Sequence, residues 1–240
     1  MTTLVTLNNI DHKDLIIDTG LSADYGHNTG YVLAFPTEFS DLQREYPIFF
    51  QKNPDTHQYC SVALLGMRSD ENLFLNGNQW NADYVPAIVA KGPFLIGIED
   101  QSLSGGDENA LVVMLDMDDP RVNSATGEAV FLEYGGNTPY LEGVNHILQR
   151  IYQGDQISHA MFAAFEQLDL IEPVELEIQL NNNEIHRLHG NYTISREKLY
   201  SLRGESLENL HRSGFLEAAF LVLNSLNNVK KLIDIKNTMC

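Results

Sequence analysis

Carboxylates and histidines that lie close together in the sequence are the first candidates for chemistry. His12 and Asp14 have the spacing of the His-x-Asp half of a facial triad, which holds non-haem iron once a second histidine completes it. Asp116 and Asp118 follow an apolar run, and paired carboxylates at a strand end are typical ligands of Mg²⁺ or Ca²⁺. The simpler interpretations are a polar N-terminal loop and a charged strand end.

Two further patterns lack parts that the chemistry requires. His186 and His189 would share a metal on a helix, but on a strand they face opposite ways. Ser206 lies in Gly-Glu-Ser-Leu-Glu, which lacks the final glycine of a nucleophile elbow, so we expect it to cap a helix. The sequence contains no His-Glu-x-x-His motif and no glycine-rich phosphate or dinucleotide loop. We therefore predict no cofactor and no complete catalytic constellation.

The charge balance restricts the partners. The 240 residues include 33 acidic side chains against 15 Lys plus Arg, a net charge of −18. Such a surface repels nucleic acids and anionic membranes, so we expect neither as a partner. The two cysteines are too few for a disulfide framework, and the N-terminus has no signal-peptide pattern. Residues 215–226 form the longest apolar stretch, which is too short to span a bilayer, so we expect a cytoplasmic protein.

The first half of the chain is predicted to be rich in strands, with short helices between them. Asn76-Gly77 predicts a tight turn before Trp80. A short helix is expected after Pro36, and another within residues 83–90. Residues 104–107 are predicted to form a loop. Apolar runs predict strands at 31–35, 47–51, 59–65, 94–98 and 110–115, the last two as central strands of an antiparallel or mixed sheet.

The second half of the chain opens with a helical pattern. Thr138 is expected to cap a helix that starts at Pro139 and ends at Gly154. Asp155 is expected to cap a second helix, which must stop before Pro173. Because the connection is short, the two helices are predicted to form a helical hairpin.

The most regular pattern lies between residues 174 and 226. Strict alternation over 174–180 predicts a half-buried strand, and Asn181-Asn182-Asn183 predicts a turn into a partner strand. The apolar helix at 215–226 is expected to pack on this β-hairpin, followed by further C-terminal helix. The fold class is α+β, a single domain over residues 1–240. We expect a strand-rich part (1–135) and a helix-rich part (136–240).

Sequence motifs spread over nearly the whole chain resemble one family. They are MTTLVTLNN, HKDL, EYPIFF, ENLFLNGNQW, YVPAIVAKGPFLIG, DDPRV, TPYLEGVN, LDLIEP, HGNYTISREKL and LHRSGFLEAAFLVLNSL. In this order they are similar to the SapC-like family of bacterial proteins. Where that family usually has a serine before Pro-Arg-Val, this chain has Asp119.

The resemblance implies a role at the bacterial surface. The family is named for an association with surface-layer (S-layer) protein export, and its members occur beside TonB-dependent receptors in Gram-negative bacteria. Some members are labelled peptidases, without catalytic residues that carry over to this chain.

Two hypotheses of function follow from the sequence. The first is a non-enzymatic transport accessory that binds a protein partner or a small-molecule ligand. The alternative is a metal-dependent or hydrolytic enzyme that uses His12, Asp14, Asp116 or Asp118. For a ligand site, the polar and aromatic residues inside the family-like motifs are the candidates: Glu45, Tyr46, Trp80, Tyr84, Arg121 and Tyr140.

Overall fold

A computed structural model describes residues 3–99 and 110–239 of the chain. The strands are Leu4–Thr6 (β1), Ile16–Ile17 (β2), Tyr31–Ala34 (β3), Ile48–Lys52 (β4), Tyr59–Leu64 (β5), Leu75–Asn76 (β6), Gln79–Trp80 (β7), Phe94–Glu99 (β8), Ala110–Asp116 (β9), Glu128–Ala129 (β10), Ile171–Gln179 (β11) and Ile185–Ile194 (β12). The α-helices are Phe39–Leu42 (α1), Ala87–Ala90 (α2), Pro139–Gln167 (α3), Arg196–Ser201 (α4), Gly204–Arg212 (α5), Phe215–Ser225 (α6) and Asn228–Met239 (α7). Single-turn 3-10 helices lie at Ala23–Tyr25 and Pro36–Glu38.

The main sheet has five strands in the order β11-β12-β4-β5-β3, and each neighbouring pair is antiparallel. It joins strands from both sides of residue 135, because Tyr192 of β12 pairs with Phe50 of β4. Its core includes Phe49, Phe50 and Val62 with the buried side chains of α6. The α+β class predicted from the sequence is confirmed. The single domain remains a prediction.

A second sheet has the order β1-β9-β8 and encloses its own apolar cluster. Long helix α3 contributes to both cores. Leu141, Val144 and Leu148 belong to the second cluster, whereas Met161 and Phe165 belong to the first. The amphipathic face of one helix therefore links the two sheets.

The predicted helical hairpin is wrong, because α3 is one continuous helix of 29 residues. Its start is as predicted, with the Thr138 hydroxyl accepting a hydrogen bond from the Leu141 amide. Gly154 does not end it. A Cβ atom there would lie 2.6 Å from Phe35 Cβ and 2.6 Å from Thr37 Oγ1, so glycine is required by close packing inside the helix.

The β-hairpin at residues 174–194 is confirmed. Val174, Leu176, Ile178 and Leu180 alternate with exposed residues, and β11 pairs with β12 in antiparallel register. Asn183 has φ +66°, the left-handed geometry expected of the Asn-Asn-Asn turn. Helix α6 packs on β12 and β4, as its apolar sequence predicts.

Most strands of the first half lie where they were predicted. Strand β8, however, is an edge strand of its sheet, and only β9 is central.

The predicted role of Ser206 is wrong. Ser206 lies inside the first turn of α5, after the N-cap residue Arg203, so it does not cap the helix. The predicted loop at 104–107 lies outside the described residues. In the described ranges, no helix is long and apolar enough to cross a membrane.

Candidate functional site

Four of the six predicted ligand residues meet at one open pocket, which we call the Trp80 pocket. Its volume is about 770 Å³. Its walls come from the chain around the end of α1, from β7 and the loop after it, and from α7. The lining residues are Asp41, Arg44, Glu45, Trp80, Asn81, Ala82, Asp83, Tyr84 and Lys231.

Tyr46 lies behind this pocket and fixes two of its walls. Its side chain is fully buried. The phenol oxygen accepts a hydrogen bond from Trp80 Nε1 (2.7 Å) and donates one to the Tyr84 carbonyl (2.5 Å). Burial raises the pKa of Tyr46 far above its usual value, so the hydroxyl keeps its proton. Trp80 and Tyr84 are therefore held in place before any ligand arrives.

Glu45 closes the pocket toward α7. Its Oε2 accepts a hydrogen bond from Lys231 Nζ (2.6 Å), and its Oε1 accepts one from the Asp83 amide (2.8 Å). Burial acts to raise the pKa of Glu45, but the bonds from Lys231 and Asp83 outweigh it and keep the pKa below its usual value. The wall at this point is thus an ion pair, not a free carboxylate.

Glu38 supports the pocket from inside and was missed by the sequence analysis. Its side chain has no exposed surface. Oε2 accepts hydrogen bonds from the Tyr84 hydroxyl (2.8 Å) and the Ala87 amide (2.9 Å), and Oε1 accepts one from the Phe35 amide (3.1 Å). Burial raises the pKa of Glu38, against the effect of these donors. A local signal existed, since glutamate two residues after Pro36 has the spacing of half a capping box.

Arg150 of α3 ties the long helix to the same wall. Its Nη2 donates to Asp41 Oδ2 (2.6 Å) and its Nη1 to the Tyr84 hydroxyl (3.3 Å). Nε and Nη2 also donate to the Thr37 carbonyl, at 3.0 and 2.7 Å. Asp41 and Arg150 are 109 residues apart, so no sequence pattern connects them.

The other two predicted residues, Arg121 and Tyr140, lie at a different place, which we call the Arg121 cluster. Arg121 and Gly92 line two pockets, of about 370 and 200 Å³, and Tyr140 lines the smaller one. Neither pocket shares a lining residue with the Trp80 pocket. The predicted set thus divides into two separate groups.

Arg121 is held by Asp119 in a two-point ion pair. Nε donates to Asp119 Oδ1 (2.8 Å) and Nη2 to Oδ2 (2.6 Å), and the Arg121 side chain is only 10% exposed. The guanidinium lies over the Tyr25 ring at 5.7 Å. The Tyr25 hydroxyl in turn donates to Asp18 Oδ2 (2.6 Å). Asp119 therefore orients Arg121 instead of joining Asp116 and Asp118.

His27 and Lys91 complete the Arg121 cluster. Burial, together with the positive charge of Arg121, lowers the pKa of His27 to about 4. The same two causes lower the pKa of Lys91. Burial raises the pKa of Tyr140 to about 12. At neutral pH the cluster thus presents a neutral imidazole and a protonated phenol.

We expect His27 to make the protein less stable in acid. The folded-state pKa of about 4 lies below the usual value of 6.5, so the unfolded chain takes up the proton first. The stability from this group is complete above pH 6.5 and is lost as the pH falls toward 4. Urea unfolding at pH 7.5 and 4.5 should show that wild type loses about 2 kcal/mol more than His27→Asn does. The exposed His146→Asn should behave like wild type, and equal losses in all three proteins would contradict the assignment.

The candidate metal ligands named from the sequence accept hydrogen bonds from backbone amides or face solvent. His12 Nδ1 accepts from the Asn8 amide (3.1 Å), and the neighbouring Asp14 side chain is exposed. Asp118 Oδ2 accepts from the Thr3 amide, and Asp116 Oδ1 from the Asp118 amide. Within residues 3–99 and 110–239, no group of three or more His, Cys, Asp or Glu side chains is placed to hold a metal. Strand geometry also separates buried His186 from exposed His189, as predicted.

The fold and the Trp80 pocket together define an α+β protein with a preassembled, mainly polar pocket. The SapC family model matches residues 7–232, and the chain belongs to this family. This confirms the resemblance drawn from the sequence motifs. Searches of curated proteins and of solved structures found no match.

Proposed function

We propose that this SapC-family protein is a non-enzymatic accessory that binds a protein partner or small ligand in the Trp80 pocket. The proposed setting is the cytoplasmic side of a surface-layer export or TonB-linked uptake system. The family name and the expected neighbours of its members support that setting. The pocket itself supports the binding role.

The observation that carries the proposal is the rigid construction of the pocket. Trp80 and Tyr84 are half-buried, so each offers part of an aromatic ring. Tyr46 fixes the Trp80 ring. Glu38 and Arg150 fix the Tyr84 hydroxyl. Pockets of this kind bind by stacking and shape, and preorganised walls reduce the entropic cost of binding.

The charged groups around the pocket favour recognition over acid–base catalysis. Glu45 is neutralised by Lys231, and Asp41 by Arg150. A general base needs a free, poised carboxylate or imidazole, whereas these two carboxylates have cationic partners and the third, Asp83, is exposed to solvent. Ion pairs at a pocket rim instead set the orientation of a partner.

The proposal is tested by changing the pocket at an exposed lining residue. Asn81 lines the pocket and is exposed, so Asn81→Arg should fold normally while placing a long cation across the entrance. Asn78→Arg makes the same change in the β6–β7 turn, outside the pocket. Each protein is used as bait in a native lysate of the source bacterium, and captured proteins are quantified by mass spectrometry.

Wild type and Asn78→Arg should recover the same transport-system component, and Asn81→Arg about tenfold less of it. Trp80 is the single tryptophan of the chain, so its fluorescence should change when the recovered component is added back. Equal recovery with all three baits, or a fluorescence spectrum that the component leaves unchanged, would refute binding at this pocket.

A further inference from the structure

In the Arg121 cluster, the Tyr140 hydroxyl and Arg121 Nη1 both lie close to Gly92. Gly92 has φ +63° and no side chain. A Cβ atom there would lie 3.8 Å from the Tyr140 hydroxyl and 3.9 Å from Arg121 Nη1. Both pockets of the cluster are lined by Val89, Gly92 and Arg121, so they share one wall.

The acceptors of the cluster are already used within the chain. Both oxygens of Asp119 accept hydrogen bonds from Arg121. Asp18 Oδ1 accepts from the Gly20 amide, and Asp18 Oδ2 from the Tyr25 hydroxyl. Each oxygen of these two carboxylates therefore accepts at least one hydrogen bond from within the chain.

Three donors remain for a ligand. His27 Nδ1 accepts from the Ser22 amide (3.1 Å), so the neutral ring carries its proton on Nε2. Among residues 3–99 and 110–239, no hydrogen-bond partner is found for His27 Nε2, Tyr140 Oη or Arg121 Nη1. Each of these donors belongs to a residue that lines a pocket of the cluster, and a carboxylate supplies several lone pairs at once.

Lys91 is a second cation of the cluster, close enough to Arg121 to feel its charge. Lys91 Nζ donates to the Gly92 and Phe94 carbonyls. Burial and the charge of Arg121 lower the pKa of Lys91, while Asp119 and Asp116 act to raise it. A ligand anion bound beside Lys91 and Arg121 would further favour the charged form of Lys91. The net charge of −18 opposes polyanions, so a small monoanion is the ligand that this site admits.

The larger pocket of the cluster determines the rest of the ligand. Besides the polar residues, it is lined by Tyr31, Val32, Leu33, Ile88 and Val89. These side chains come from edge strand β3 and from α2, and they offer apolar surface next to the donors. A ligand that fits has a carboxylate at one end and an apolar body at the other.

We propose that Arg121, Tyr140 and His27 bind the carboxylate of a small organic acid whose apolar body lies between β3 and α2. Arg121 Nη1 and Tyr140 Oη donate to the carboxylate, and His27 Nε2 adds a third bond. Asp119 acts as a positioning residue that presents the guanidinium. This site is separate from the Trp80 pocket and does not depend on the proposed accessory role.

The test uses benzoate and octanoate as probes, titrated into the full-length protein by isothermal calorimetry at pH 7. Benzamide serves as the uncharged analogue of benzoate, and inorganic phosphate as an anion without an apolar body. Tyr140→Phe removes one hydroxyl and keeps the ring that packs on Phe94 at 6.2 Å between centroids. Tyr134→Phe makes the same change at a tyrosine that is 95% exposed.

At least one of the two carboxylates should bind saturably, with about tenfold weaker binding to Tyr140→Phe and unchanged binding to Tyr134→Phe. Benzamide and phosphate should bind at least tenfold more weakly than that carboxylate. Arg121→Gln should abolish binding, with circular dichroism to check its fold. The proposal is overturned by absence of binding to both carboxylates, by equal binding of benzamide or phosphate, or by unchanged affinity in Tyr140→Phe. None of these outcomes affects the Asn81→Arg capture test.

Discussion

Replacing Glu38 by alanine should lower the free energy of unfolding by about 3–5 kcal/mol. The substitution removes the acceptor of three donors at once: the amides of Phe35 and Ala87 and the hydroxyl of Tyr84. Glu38 has no exposed surface, so water does not readily replace the carboxylate. Each buried donor left without a partner costs about 1–3 kcal/mol, and the cavity adds to the loss.

Urea unfolding at pH 7 measures this effect, and two variants define its origin. Glu38→Gln keeps one oxygen but places an amide group opposite one of the donors, so its loss should be about half that of alanine. Glu133→Ala removes an exposed glutamate and should change stability by less than about 0.5 kcal/mol. A loss below about 1 kcal/mol in Glu38→Ala would mean that the three hydrogen bonds are not formed in solution.

Glu38 also connects the fold to the proposed binding site. Its partner Tyr84 lines the Trp80 pocket, and the carbonyl of Tyr84 accepts the bond from Tyr46. Loss of Glu38 should therefore loosen one pocket wall, although Glu38 itself does not line the pocket. Stability and partner capture should decline together in this variant, whereas Asn81→Arg should affect capture alone.

The elements that the sequence predicts correctly are those specified by local patterns. Residues 174–180 alternate with period two, and the Asn-Asn-Asn turn supplies its own left-handed residue, Asn183. The apolar helix at 215–225 needs only its spacing to be recognised. In each case the residues that determine the structure are neighbours in the chain, so no distant contact has to be known.

The candidate sites depend on contacts that no local pattern contains. Family-like motifs suggested Glu45, Tyr46, Trp80 and Tyr84, and the fold brings these four together. Lys231, which pairs with Glu45, is 186 residues away and was not suggested. Arg121 and Tyr140 lie apart from the other four candidate ligand residues. This separation depends on the packing of α3, and the spacing of the residues in the sequence does not predict it.

At Gly154 the local sequence pattern and the tertiary packing favour different structures. Glycine in a helical pattern is usually taken as a terminator, and on that ground the sequence predicted two helices. In the structure Gly154 is buried in the middle of α3, against Phe35 and Thr37. The Thr37 hydroxyl also donates to the Arg150 carbonyl (3.0 Å), so the backbone of the 3-10 helix approaches α3 closely here. Glycine has a low helix propensity, but the close approach of the two helices requires it at this position.

Gly154→Ala should therefore lower the free energy of unfolding by about 3 kcal/mol, whereas Gly143→Ala, eleven residues earlier in α3, should raise it by about 0.5–1 kcal/mol. The added methyl at residue 154 would meet Phe35 Cβ at 2.6 Å, an atom attached to the backbone that cannot rotate away, while nothing lies within 4 Å at residue 143. Urea unfolding of both variants measures the difference. Two hydrophobic clusters share α3, so overpacking at its centre strains the contacts to both. If both variants were stabilised, helix propensity alone would govern residue 154, and α3 would not pack closely on Phe35.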